Sequence, residues 1–171
     1  FEHTSVTGFN VRDAAGKIRT VKTSAGDFAA DEIVLAAGVW TPLVARDLKL
    51  NIPVQPARGY SMTMSATKVM PRHALLLGER RVAVSPMGDL LRFTGRLELS
   101  NIDTTVSIKH IAGIERAVRE YIHLDEKLDI HETWAGLRPS TPDGMPIIGR
   151  SPCYRNLILA TGHAMLGLSL G

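Results

Sequence analysis

The chain has 171 residues, 20 Lys and Arg against 17 Asp and Glu, and a formal net charge of +3. Apolar residues make up 44% and charged residues 22%, which excludes intrinsic disorder and allows one domain, or two small ones, with a true core. The longest apolar runs, such as Ile33 to Val39, fall far short of the roughly 20 residues of a membrane helix, and one cysteine, Cys153, excludes a disulfide framework or a multi-cysteine metal centre. Lys and Arg are scattered, and their densest group, Glu79-Arg80-Arg81, includes an acid, so no nucleic-acid patch is expected.

Ser5 to Arg12 and Ile18 to Thr23 alternate apolar and polar residues, the period of half-buried strands. Asp13-Ala-Ala-Gly16 reads as the hairpin turn between them and Ser24-Ala-Gly26-Asp27 as a second turn. Ile33 to Ala37 is a continuous apolar run ending in Gly38, a buried strand. Thr41-Pro42 then reads as an N-cap followed by Pro in the first turn, opening a helix to Leu48. Val54 to Met64, Ala74 to Leu77, Arg81 to Ser85 and Leu90 to Leu99 are consecutive strands with short links, which predicts an antiparallel sheet. Ser107 to Leu124 is the clearest helix, with Ile111, Ile114, Val118 and Ile122 on one face, and it is expected to cover that sheet. Ile130 to Trp134 reads as one more strand and 136–153 as irregular. Leu157 to Ala160 is a short buried strand, followed by a helix beginning near His163 or Ala164. The fold class expected is α+β.

Two strands end in glycine, at Gly38 and Gly162, where backbone without a Cβ can approach a ligand closely. A strand–turn–helix with Gly for tight packing is the alternative. A third candidate is Trp134-Ala-Gly-Leu-Arg138-Pro-Ser-Thr-Pro-Asp143-Gly-Met-Pro-Ile-Ile-Gly149, in which three prolines stiffen the backbone around one guanidinium. Arg138 presents a planar fork suited to a carboxylate, or it serves the loop structurally with Asp143 nearby. No His pairs with a second His or Cys at ligand-like spacing, so no metal is expected.

The run WAGLRPSTPDGMPIIG, followed after a short gap by NLILATGHAMLGLSLG, resembles the C-terminal signature of the FAD-dependent D-amino acid oxidase-like (DAO) family, which includes glycine oxidase and bacterial D-amino acid dehydrogenases. TSAGDFAADEIVLAAGVWTPLVA is similar to its strand before the flavin-proximal turn, and PVQPARGY to the first strand of its substrate domain. The resemblance implies residues 1–48 as part of an FAD-binding domain of truncated glutathione-reductase-like type, 49–138 as a substrate-binding domain, and 139–171 as the returning part of the FAD domain. The family's GxGxxG turn has no counterpart here, so the chain reads as the C-terminal portion of a longer enzyme, expected to be inactive alone. FAD would be held non-covalently, since Cys153 does not match the attachment cysteine of sarcosine oxidase relatives, and would contact Ala37, Gly38, Trp40, Gly162, His163, Ala164, Met165, Leu166 and Gly167. Arg138 would bind the substrate carboxylate as the catalytic residue, with Tyr60 as a second substrate contact. The implied reaction oxidises D-amino acids to imino and oxo acids, with oxygen, a quinone or a carrier protein left open as acceptor. Apolar Met165 and Leu166, with Ala83 where glycine oxidase relatives carry an aromatic, favour a larger hydrophobic substrate. Two other readings stand beside it: a flavin-free α+β ligand- or protein-binding fragment, and an oxidase or dehydrogenase of glycine or of secondary amines such as sarcosine or hydroxyproline. The expected location is the cytoplasm or the face of the inner membrane, with no transmembrane segment.

Overall fold

A computed structural model describes residues 1–12, 16–66, 70–124 and 127–170. The turn residues Asp13, Ala14 and Ala15 lie outside the described residues, whereas Gly16 takes a φ of 57°, the left-handed region a hairpin turn requires. The chain divides into two compact units, Phe1–Pro56 with Arg138–Gly171, and Ala57–Leu137. The sequence expectation drew these boundaries at 48/49 and 138/139.

Unit 1 holds two small sheets. Strands β1 (Val6–Arg12), β2 (Lys17–Thr23) and β3 (Gly26–Ala29) form an antiparallel meander. The segment read as a second turn is therefore largely the start of β3, with the reversal confined to residues 24 and 25. Strand β4 (Ile33–Leu35) runs parallel to β11 (Leu157–Thr161), and β10 (Ile147–Arg150) flanks β11 antiparallel. A 3-10 turn, Gly38–Trp40, leads into helix α1 (Thr41–Ala45). Helix α1 is shorter than expected, and the residue at its N-cap is Trp40, with Pro42 in the first turn. The core gathers Phe9, Ile18, Leu35, Ala45, Leu48, Ile52, Val54 and Leu157. Buried Asn156 ties the two sheets together, donating to Ile18 O at 2.9 Å and accepting from Ile18 N at 2.9 Å. Its side chain thus replaces a missing backbone partner on each side.

Unit 2 is dominated by one five-stranded sheet in the order β6 (Leu75–Leu77), β7 (Val82–Met87), β8 (Leu90–Leu99), β5 (Gln55–Ser65), β9 (Ile130–Ser140). The pairings β6–β7, β7–β8 and β5–β8 are antiparallel, so the α+β architecture with an antiparallel sheet is as expected. Helix α2 (Ile108–Arg119) buries Ile111, Ile114, Ala117 and Val118 in one cluster with Tyr60, Met62, Val84, Leu91 and Phe93 of the sheet. Gly95 permits the close approach: a Cβ there would lie 3.2 Å from Ile114 Cγ1 and 3.0 Å from Val82 Cγ2. The helix that covers the sheet is present, though it ends at Arg119 rather than Leu124.

Two expectations are corrected at the C-terminal end. The segment 136–153, read as irregular, contains the end of β9, where Pro139 lies near a strand end and a missing N–H is tolerated, and all of β10, which pairs with β11. The helix expected from His163 or Ala164 begins only at Gly167 (α3, Gly167–Leu170). Ala164 takes a φ of 47°, a left-handed conformation that cannot continue a right-handed helix.

Candidate functional site

The two glycine turns singled out in the sequence meet in unit 1 because β4 and β11 are parallel neighbours and deliver their carboxyl ends to the same side. Ligands of open α/β sheets bind beyond such ends. Thr161, at the last position of β11, donates its hydroxyl to Gly38 O at 3.1 Å and accepts from Thr41 Oγ1 at 3.0 Å. Both threonines are fully buried, so the pair fixes the Gly38 turn against Gly162. Sequence reasoning missed this pair, having read Thr41 as a helix cap; no spacing signal distinguishes a cap hydroxyl from a cross-strand one.

Gly38 has a φ of 54°, and a Cβ built there would meet nothing within 4 Å. This turn has open space beside it, with Trp40 half exposed at 51% and Ala37 partly buried. Gly162 differs: at a φ of 78° a Cβ would run into Thr141 Cγ2 at 2.6 Å. That contact shows what the TPDG run does. Gly144 N donates to Thr141 O at 3.2 Å, Thr141 Oγ1 donates to Met145 O at 2.8 Å, and Met145 N donates to Asp143 Oδ1 at 3.1 Å. The Met145 N–H bond is the main reason the Asp143 carboxyl is held below its ordinary pKa. Asp143 therefore closes a turn that packs on Gly162, and it is not the partner of Arg138.

Arg138 belongs to the same unit. Its neighbour Pro139 accepts from Ala164 N at 3.0 Å, which sets the end of β9 beside the 162–166 segment. The Arg138 side chain is partly buried, and burial lowers its guanidinium pKa from the ordinary value. It forms no ion pair or side-chain hydrogen bond with any described residue. A partly desolvated cation without a partner is costly unless an anion arrives to pair with it.

The segment after Gly162 is a turn closed by Leu166 N to His163 O at 2.8 Å. Main-chain N–H groups of His163, Met165 and Gly167 take no hydrogen-bond partner among the described residues. Met165 and Leu166 are exposed, at 74% and 53%.

Tyr60 is placed differently from the expectation. It is fully buried in unit 2, its hydroxyl donates to Glu98 Oε1 at 2.9 Å, and its ring lies 4.7 Å from that of His110. Glu98 also takes Arg58, whose other arm reaches Asp103. Tyr60 is thus a fully buried core residue whose hydroxyl joins a partly exposed ion-pair network. Among the described residues no group of His, Cys, Asp and Glu could hold a metal, and no helix is long and apolar enough to cross a membrane.

Comparison with known proteins shows the family. The family model described as FAD dependent oxidoreductase (DAO) matches residues 1–171. D-amino acid dehydrogenase of Chromohalobacter salexigens is 37% identical over 158 residues, covering 91% of this chain and 38% of that protein. Among solved structures, glycine oxidase from Geobacillus kaustophilus superposes with a TM-score of 0.85 at 25% identity, over 99% of this chain and 45% of that one. L-proline dehydrogenase from P. horikoshii shares the fold, with a TM-score of 0.86 at 22% identity over 99% and 48%. The chain belongs to the DAO family of FAD-dependent oxidoreductases. It spans about two fifths of the length of the curated relatives it matches.

The residues present fit one part of FAD. Open space beside Gly38 and main-chain donors after Gly162 without partners among the described residues suit a flat ring with hydrogen-bond acceptors on its edge. No two glycines of the chain stand two positions apart, so a GxGxxG cradle for the pyrophosphate is not among these residues.

Proposed function

We propose that this chain supplies the flavin-facing and substrate-orienting part of an FAD-dependent dehydrogenase or oxidase that converts D-amino acids to imino acids, which water hydrolyses to oxo acids and ammonia. The observation that carries the reading is Arg138: a partly buried guanidinium without a partner among the described residues, tethered through Pro139 to the turn after Gly162. The likeness to D-amino acid dehydrogenases at 37% identity supports the substrate class.

Arg138 pairs with the substrate carboxylate through its two-pronged fork. With the carboxylate fixed, rotation about one end of the substrate is lost and the Cα–H is presented in a single orientation, which is where positioning lowers the barrier. FAD, when bound, supplies the two-electron acceptor for that hydride. The N–H groups of His163, Met165 and Gly167, without partners among the described residues, would be the donors this chain offers to a bound flavin, where they would stabilise negative charge, held in place by the Ala164–Pro139 bond. Ala37, Gly38 and Trp40 line the other side of the same turn pair. The amine proton leaves to solvent, so no protein base is required.

In the FAD-loaded protein, Arg138→Ala should raise KM for D-amino acids about a hundredfold, the loss of one charge-assisted bidentate contact, while the flavin absorbance stays unchanged. Unchanged kinetics would remove Arg138 from substrate binding. A dye-linked substrate panel separates D-amino acids from secondary amines such as sarcosine and hydroxyproline, a reading kept in view by the glycine oxidase likeness.

A further inference from the structure

Unit 2 has a cleft of its own, about 600 Å³, between α2 and the β6–β7 turn, with Arg96 of β8 contributing. Its cations are Arg80, Arg81, Arg96, Lys109 and Arg116, and its acids are Glu79 and Glu120. With His110 neutral its formal charge is +3, and the whole chain carries +3. The rest of the molecule is formally neutral, so the entire positive excess is gathered here.

Internal pairing does not explain the gathering. Glu120 is taken by Arg80, whose Nε donates to it at 2.7 Å, and Glu79 accepts from the Tyr121 hydroxyl at 3.3 Å. Arg81, Arg96, Lys109 and Arg116 form no ion pair or side-chain hydrogen bond with any described residue. Local preferences are also set aside to keep them there. Helix α2 has no acid in its first turn and places Lys109 there, where the helix dipole disfavours a cation. Arg81 and Arg96 sit at φ values of 52° and 64°, backbone that residues with a Cβ adopt only under constraint. Position 113 on α2 is glycine, and a Cβ there would lie 2.8 Å from Arg96 Nη2. The helix surface is cut away where that guanidinium rests.

We infer that this cleft binds a phosphate-bearing anion, at a site separate in sequence and in unit from the flavin-facing turns. Guanidinium forks match phosphate oxygens in pairs, and a concave wall of one sign focuses the field that draws a multiply charged anion in. The same chemistry is offered by a free phosphorylated molecule and by a phospholipid headgroup.

The test titrates two probes into the FAD-loaded protein at about 50 mM salt, where screening is modest: pyrophosphate by calorimetry, and vesicles of phosphatidylglycerol with phosphatidylcholine by co-sedimentation, against phosphatidylcholine alone. The parent should bind at least one probe, and the R96Q/K109Q variant should bind it about tenfold more weakly, with a shallower salt dependence. The R19Q/K22Q variant removes the same charge from exposed positions on β2 and should bind as the parent does. Should R96Q/K109Q melt early, R81Q/R116Q replaces it. Binding of pyrophosphate assigns a free phosphate ligand, and binding of the anionic vesicles alone assigns a headgroup. No binding of either probe by the parent, or equal weakening in the cleft and β2 variants, overturns the inference.

Discussion

Thr161 shows how much of the Gly38 turn rests on one hydroxyl. It joins Gly38 O to Thr41 Oγ1 in a fully buried place, so Thr161→Val keeps the shape and removes both bonds. The Thr41 hydroxyl and the Gly38 carbonyl then lose partners, at a cost of about 1–3 kcal/mol. The expected outcome is a lowered denaturant midpoint together with weaker FAD retention on gel filtration; Thr161→Ser should restore both. A variant that loses stability yet keeps FAD as tightly as the parent would place the turn away from the cofactor. At this scale the sequence marks Arg138, Gly38 and Gly162 through their setting in apolar, glycine- and proline-rich runs. Thr161 and Ala164 carry no such mark, because a hydroxyl bonded across strands and an alanine in left-handed backbone look ordinary until the partners are placed.

At the scale of elements, the packing of α2 on the sheet is the clearest dependence. Ile114 is fully buried against Gly95, in a cluster that includes Phe93 and Val118. Ile114→Ala should destabilise by about 2–5 kcal/mol, lost transfer energy plus the cavity left behind, measured as a shift of the urea midpoint with the slope retained. Gly95→Val should also destabilise, for the opposite reason: its side chain would collide with Ile114 and Val82. Most strands are legible because period-two alternation and short turns are local signals. Strand β10 and the end of β9 are not, because their proline and glycine content mimics a loop and the pairing that overrides it is distant in sequence: β10 pairs with Leu157–Thr161 and β9 lies beside β5. The missing helix start at His163 has the same character, since the deciding event is a single left-handed residue held by Pro139.

For the molecule as a whole, charge is the property least visible in the linear order. The cations of the unit 2 cleft come from the β6–β7 turn, β8 and α2, and reading along the chain finds them scattered. Acid sensitivity has a more local origin. Asp103 is held at about pKa 2 by the Thr105 hydroxyl and N–H first, and by Arg58 after them, and Glu98 is lowered chiefly by Arg58. For carboxylates with depressed folded-state pKa values, the unfolded chain binds protons first as pH falls. Their stabilisation is therefore complete above the unfolded value near 4 and is lost as pH drops towards about 2. Parent protein should lose urea stability through that window, and Asp103→Asn should be less stable at neutral pH with a flatter acid limb. An identical acid limb in the two proteins would assign the sensitivity to other groups.

The order of strands in unit 2 has one more consequence. The chain enters that unit along β5 and leaves it along β9, and these two are neighbours in the sheet. A long excursion whose ends are already side by side imposes little closure penalty on the unit that hosts it. Ala57–Leu137 can therefore be inserted or exchanged as a cassette while the host's parallel strands and their threonine tie stay untouched.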